Sequence, residues 1–179
     1  MSPAINPDPD LMRIFDFTAA DLEANRAGRM SERQIERLSN RKKQGQWLAG
    51  GGCIAVLVFA LLILGNRLSS SMKDGTTTIL TLLAVMALPV VYFTLGVMDR
   101  SADLTRDKPK VYSGQVWTSE QHGKFGSTYW IWTAELNIQI SSTAYMLFDN
   151  YLYIRGKDTV FQLYYAPNSS EVLSLEVVD

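Results

Sequence analysis

Two long stretches of the chain carry no charged residue: 44–66 and 75–98. Each exceeds the roughly 20 apolar residues that cross a ~30 Å hydrocarbon core at 1.5 Å per residue. The first is dense in Val, Leu, Ile, Phe and Ala from Trp47 onward; the second is equally rich but carries Pro89. That proline removes one backbone hydrogen bond and kinks the helix, which neighbouring groups in a bilayer tolerate. The pattern predicts transmembrane helices over 47–65 and 76–98, with a short loop over 66–75 between them. A linker over 99–110 then leads to a region of different period.

Over 111–179 the hydrophobic repeat falls to two. From Thr128 to Ile140, Trp130, Trp132, Ala134, Leu136, Ile138 and Ile140 alternate with Tyr129, Ile131, Thr133, Glu135, Asn137 and Gln139. This is the signature of one long half-buried strand. The period recurs at Leu152/Ile154, Phe161/Leu163/Tyr165 and Leu173/Leu175/Val177. Turn signals stand between them at His122-Gly123, Ser141-Ser142, Asp149-Asn150, Gly156 and Pro167-Asn168. About six short antiparallel strands are expected, and closing them removes exposed edges. The expected fold class is a membrane α+β protein: a transmembrane hairpin with N-terminal amphipathic helices and a small SH3-like or OB-like β-barrel.

Before the first apolar run, 1–17 reads as irregular, with Pro3, Pro7 and Pro9. Within 18–46 two helix starts are legible. Thr18 with Asp21 opens Ala19–Ala27, which Gly28 closes. Ser31 with Gln34 is a capping box that starts a helix at Glu32. This helix carries Arg33, Arg37 and Arg41 at i, i+4 and i+8, followed by Lys42 and Lys43. Beside a membrane, such a stripe contacts anionic lipid headgroups at about 1 kcal/mol per basic residue; otherwise it is a solvated face that fixes topology. Lys and Arg near the spans number 7 before the first and 4 after the second, against 2 in the loop. That bias places both termini in the cytoplasm.

Candidate chemistry is sparse. Neither span contains Asp, Glu, Lys, Arg or His, which disfavours a pump or transporter acting alone. Gly51 and Ala55 have the four-residue spacing that lets helix backbones approach, within one hairpin or between copies. One His and one Cys leave too few ligands for a usual structural zinc site, and no cofactor motif is present. His122 sits in a hairpin tip, a poor scaffold for catalysis. From residue 101 onward 9 acidic residues face 6 basic ones, and the resulting −3 opposes nucleic-acid binding. The expected outer face of the β-domain carries Tyr129, Ile131, Tyr151, Tyr153 and Tyr164. These either pair across strands, lie under the chain's own helices, or form a docking face.

The stretch Asp16-Phe17-Thr18-Ala19-Ala20-Asp21-Leu22-Glu23-Ala24-Asn25-Arg26-Ala27-Gly28-Arg29-Met30-Ser31 resembles the front of small bacterial two-span membrane proteins. The segments Tyr164-Tyr165-Ala166-Pro167 and Val172-Leu173-Ser174-Leu175-Glu176 are similar to the end of the same kind of protein. The resemblance covers about a third of the chain and implies a bacterial source, hence a multi-pass protein of the bacterial inner (plasma) membrane, and a hairpin-plus-tail layout, with no activity. The sequence therefore leads to a non-catalytic membrane-anchored scaffold or assembly subunit, with the lipid bilayer and a homo-oligomer or larger membrane complex as partners. The alternative is a small channel or transporter accessory, with Thr76, Thr77, Thr78 and Thr81 at a polar entrance.

Overall fold

The computed structural model describes residues 7–68, 91, 94–95, 97–105, 108–124, 126–156 and 158–178; at 49 and 53–68 it describes the backbone alone. The chain divides into two compact units, one of Met1–Glu36 with Thr105–Asp179 and one of Arg37–Leu104.

In the first unit the expected irregular start holds a helix. Asp8 caps α1 (Pro9–Phe15), accepting from Asp10 N at 2.9 Å. Pro9 occupies the first turn, where its missing N–H is not needed. Thr18 caps α2 (Ala19–Arg26) by accepting from Asp21 N, and the Asp21 carboxylate returns the bond to Thr18 N at 2.8 Å. The same reciprocal device, Ser31 with Gln34, opens α3 (Glu32–Leu68), with both bonds at 3.1 Å. Together these caps satisfy N–H groups that each helix start would otherwise orphan.

The remainder of this unit holds six strands in two open antiparallel sheets. Strands β1 (Lys110–Gln115), β5 (Val160–Tyr165) and β6 (Val172–Val178) form the first sheet, in the order β1-β5-β6; β2 (Trp117–Gly123), β3 (Gly126–Trp132) and β4 (Asn137–Ile140) form the second. Buried Val116 carries the chain from one sheet to the other. Among the described residues no closed barrel forms, which corrects the SH3-like or OB-like expectation. The residues Asp149-Asn150 and Leu152/Ile154, read as a turn and a strand, lie instead in a helix, α5 (Ser142–Arg155). Ser141 caps it by accepting from Ala144 N at 3.2 Å, and Gly156, at φ 97°, ends it. Phe148, Tyr151 and Leu152 are its buried positions, at the i, i+3, i+4 spacing of a helix face. With α5 packed against β2, β3 and α1, the sheets are covered without closing on themselves.

The expected long strand over 128–140 is likewise a hairpin. Thr133 breaks it: its N–H and hydroxyl both donate to Leu136 O at 3.0 Å, and its Oγ1 accepts from Glu135 N and Leu136 N. Trp132 pairs with Asn137 and Ile131 with Ile138. On β3 the faces are the reverse of the expected ones, while on β4 Ile138 lies on the buried side. Ile131 and Ile138 point inward at 1% and 0% exposure, while Trp117 on the opposite face is 46% exposed. The core under α5 is aromatic. Phe148 meets Phe15 and Phe161 edge-on, with centroids 5.0 and 5.8 Å apart, and Tyr151 stacks beside it at 6.2 Å.

The second unit contains the rest of α3 and a further helix, α4, described within this unit over 97–104. They touch at buried Gly45, where an added Cβ would stand 2.9 Å from Val97 Cγ2. Among the described residues no helix is long and apolar enough to cross a membrane. The expected two-span hairpin, its inner-membrane location and the cytoplasmic placement of both termini are not supported and are corrected accordingly. α3 is one continuous helix whose opening, Glu32–Lys43, carries seven charges. An uncharged run in a sequence shows what a helix could bury, not what surrounds it. Most of the expected second span, with Pro89, the four threonines and the loop over 69–75, lies outside the described residues, as do the side chains from Cys53 through Leu68.

The aromatic core sets a measurable contrast along α5. Phe148→Ala should lower stability by about 3–5 kcal/mol, seen as an earlier denaturant midpoint. Tyr153→Ala, which removes a side chain that is 87% exposed, should stay within about 0.5 kcal/mol.

Candidate functional site

Two features of the first unit stand out: a buried polar seam beneath the N-terminal helices and an uncovered face on α5. The seam follows β6, whose residues from Val172 to Glu176 are all buried. Leu173 and Leu175 supply the apolar side, at 0% and 1% exposure. Ser174 and Glu176 point the other way, toward α2. There Asn25 Nδ2 donates to Ser174 Oγ at 2.6 Å, and Arg26 grips Glu176 through two hydrogen bonds, with Nε to Oε1 at 3.1 Å. Tyr164 from β5 donates its hydroxyl to the same Glu176 oxygen at 3.0 Å. Burial, then the Glu176 charge, pushes the Tyr164 hydroxyl well above the usual phenol range. Gln34, beyond capping α3, donates through Nε2 to Leu173 O at 3.0 Å.

Asp21 joins the two caps into one network. It is 2% exposed and accepts from Thr18 N, from the Ser31 hydroxyl and from Arg33, the last at 3.0 Å. Burial acts against its charge, but the bonds from Ser31, Thr18 and Arg33 outweigh it and hold the carboxyl below the usual aspartate range. Asp8 is similar: burial is outweighed by bonds from Tyr151, from the backbone and from Arg155, which lower its pKa. Tyr151 and Arg155 both reach Asp8 Oδ2 at 2.7 Å, clamping α5 onto the start of α1.

Of the five basic residues expected at a lipid surface, Arg33 is committed to Asp16 at 2.5 Å and to Asp21. Arg37 and Arg41 also have partners, while Lys43 is exposed and Lys42 half-buried. Gly51 is exposed, with nothing within 4 Å of an added Cβ, and the Ala55 side chain lies outside the described residues. Close helix packing instead falls at Gly45. The expected docking face does not form as one surface. Ile131, Tyr151 and Tyr164 are core, and Tyr129 packs on Tyr145 with centroids 4.8 Å apart; only Tyr153 of the five is exposed.

The uncovered face belongs to α5. Thr143, Met146, Leu147, Asn150, Tyr153 and Ile154 are all exposed and fall within an arc of about 120° at 100° per residue. Met146 is 62%, Leu147 39%, Tyr153 87% and Ile154 73% exposed. The helix carries only two charges, Asp149 and Arg155. Thr118 bonds Asp149 at 2.5 Å and Arg155 reaches Asp8, so neither lies on this stripe. A spacing of three and four residues was the signal for both faces of this helix, hidden because the same segment also alternates.

His122 makes no catalytic arrangement. Ser127 Oγ lies 2.9 Å and Glu120 Oε1 3.6 Å from the same ring nitrogen, Nδ1, on a 79% exposed side chain. A serine–histidine–acid relay needs its two partners on opposite nitrogens. Among the described residues no group of His, Cys, Asp and Glu is placed to hold a metal ion. No family model matches the chain, and no curated protein or solved structure is similar to it.

Asp21 gives the seam a pH signature. A carboxyl whose pKa is lowered on folding stabilises the fold above its unfolded value of 3.8, and that stability is lost as pH falls through the still lower folded value. Asp21→Asn should cost about 2 kcal/mol at pH 7 and flatten the loss of stability below about pH 4, measured by denaturant unfolding across pH.

Proposed function

We propose that the first unit is a non-catalytic interaction module of an assembly subunit and that the outer stripe of α5 is its contact surface. The observation that carries this reading is the pair of opposed apolar faces on α5. One face is consumed by Phe15, Phe161 and the sheets; the other leaves four large apolar side chains in water within one arc. A solvent-facing helix ordinarily places charged residues there, and contiguous exposed apolar surface of a few hundred Å² marks a binding site. The outer face of the β2–β4 sheet differs. There Trp130 and Trp132 are half-buried, only Trp117 among the three indoles is exposed, and polar Ser119, Gln121, Asn137 and Gln139 are interleaved with them.

A photoreactive residue at Tyr153 of the full chain should form protein adducts in cells. They should disappear when Met146→Ser and Ile154→Ser are added, and a probe at exposed Gln121 should give none. A probe at Tyr153 that yields no adduct overturns the reading.

A further inference from the structure

Resting on α5 as a contact face, we infer that its occupant is a second copy of this chain, paired antiparallel about a two-fold axis through Asn150. The apolar part of the stripe is symmetric about that residue: Met146 and Leu147 lie four and three positions before it, Tyr153 and Ile154 three and four after. A two-fold rotation inverts height along the helix but keeps each side chain on its own side of the axis, so it sets Leu147 against the second copy's Ile154 and Met146 against its Tyr153. Contact with itself is what such a patch satisfies, because an isologous interface matches each position with its symmetric counterpart. The flexible thioether of Met146 also packs well near an aromatic ring such as Tyr153.

Charge points the same way. Asp149 and Arg155 are exposed but lie outside the arc, Asp149 bonded by Thr118 and Arg155 paired with Asp8, so the stripe itself offers no charge to an acidic or basic partner. The area is also adequate. At roughly 200 Å² per large side chain, the four exposed fractions amount to about 500 Å² per copy. Two copies reach about 1,000 Å², the floor for a specific interface. A reversible dimer is expected, not a permanent one. Thr143, the first residue of the stripe, lies outside the symmetric span at its rim. The polar residue enclosed by the four apolar ones falls on the axis. An asparagine amide both donates and accepts, so Asn150 can pair with its own copy, and a polar residue at such a position fixes register.

The chain has one cysteine, Cys53, so Cys53→Ser gives a clean background for cross-linking the full chain. In it, Asn150→Cys should link under mild oxidation to a species of twice the 20.1 kDa chain mass. Mixed Leu147→Cys and Ile154→Cys chains should link as well. Tyr153→Cys alone should link poorly, because its copies stand about 9 Å apart along the helix axis, beyond the ~7 Å reach of a disulfide. Asn150→Lys, with two like charges meeting on the axis, should raise the dissociation constant at least about tenfold. Efficient linking of Tyr153→Cys alone means a parallel pair and overturns the proposed geometry. If Asn150→Cys fails to link while the Tyr153 probe still forms an adduct of a different mass, the second copy is overturned and the contact face stands. If neither forms, both readings fall.

Discussion

Glu176 lies in β6 with neighbours on both sides of the strand, and its carboxylate is tolerable there only because Arg26 and Tyr164 both reach it. A buried carboxylate without such partners would give up its charge or destabilise the fold. The rest of the first unit follows from this contact. Arg26 is the last residue of α2, so gripping Glu176 fixes where that helix ends against the sheet. The Asn25–Ser174 bond fixes its rotation. α2 in turn positions Asp21, which ties the Ser31 cap and Arg33 to it. Gln34 closes the circuit onto the backbone of Leu173. Residues some 150 positions apart in the chain are joined by directional bonds, which specify one arrangement where apolar packing alone would allow several.

The segments Asp16–Ser31 and Val172–Glu176 are the two halves of this seam. Each is incomplete by itself. α2 carries buried Asp21 and Asn25, and β6 carries buried Ser174 and Glu176, so either one left alone would expose or strand polar groups that the other satisfies. Their shared chemistry is structural: Asn25 to Ser174 and the two bonds from Arg26 to Glu176 hold helix to strand.

What the sequence made legible was local. The Thr18/Asp21 and Ser31/Gln34 spacings announce the starts of α2 and α3 because a capping box is closed within four residues. The faces of the strands were not legible, since a period of two has no sign. Trp130 and Trp132 are larger than Ile131, and only the packing of α5 against β2 and β3 decides that Ile131 takes the buried face and the indoles the other. α5 itself was masked by a coincidence. Tyr151 and Tyr153 read as alternate strand positions, and Asp149-Asn150 as a turn, while Phe148, Tyr151 and Leu152 carry the helical repeat. The two uncharged runs show a different limit. They satisfy a length criterion for crossing a bilayer, yet the described residues contain no helix that does so, and the charged opening of α3 belongs to the same helix as the first run.

An apolar stripe on a loose helix would invite misfolding, but α5 is held from behind along its length. Thr118 bonds Asp149 near its middle, Tyr151 and Arg155 bond Asp8 at its end, and Arg155 also lies over the Tyr151 ring at 5.5 Å. Phe148 is locked between Phe15 and Phe161. The helix therefore has its shape before anything touches its outer face, and association need not pay for ordering it. Stability and recognition are divided between opposite sides of one helix: the inner side can hold the fold unchanged while substitutions on the outer side alter only what the surface meets.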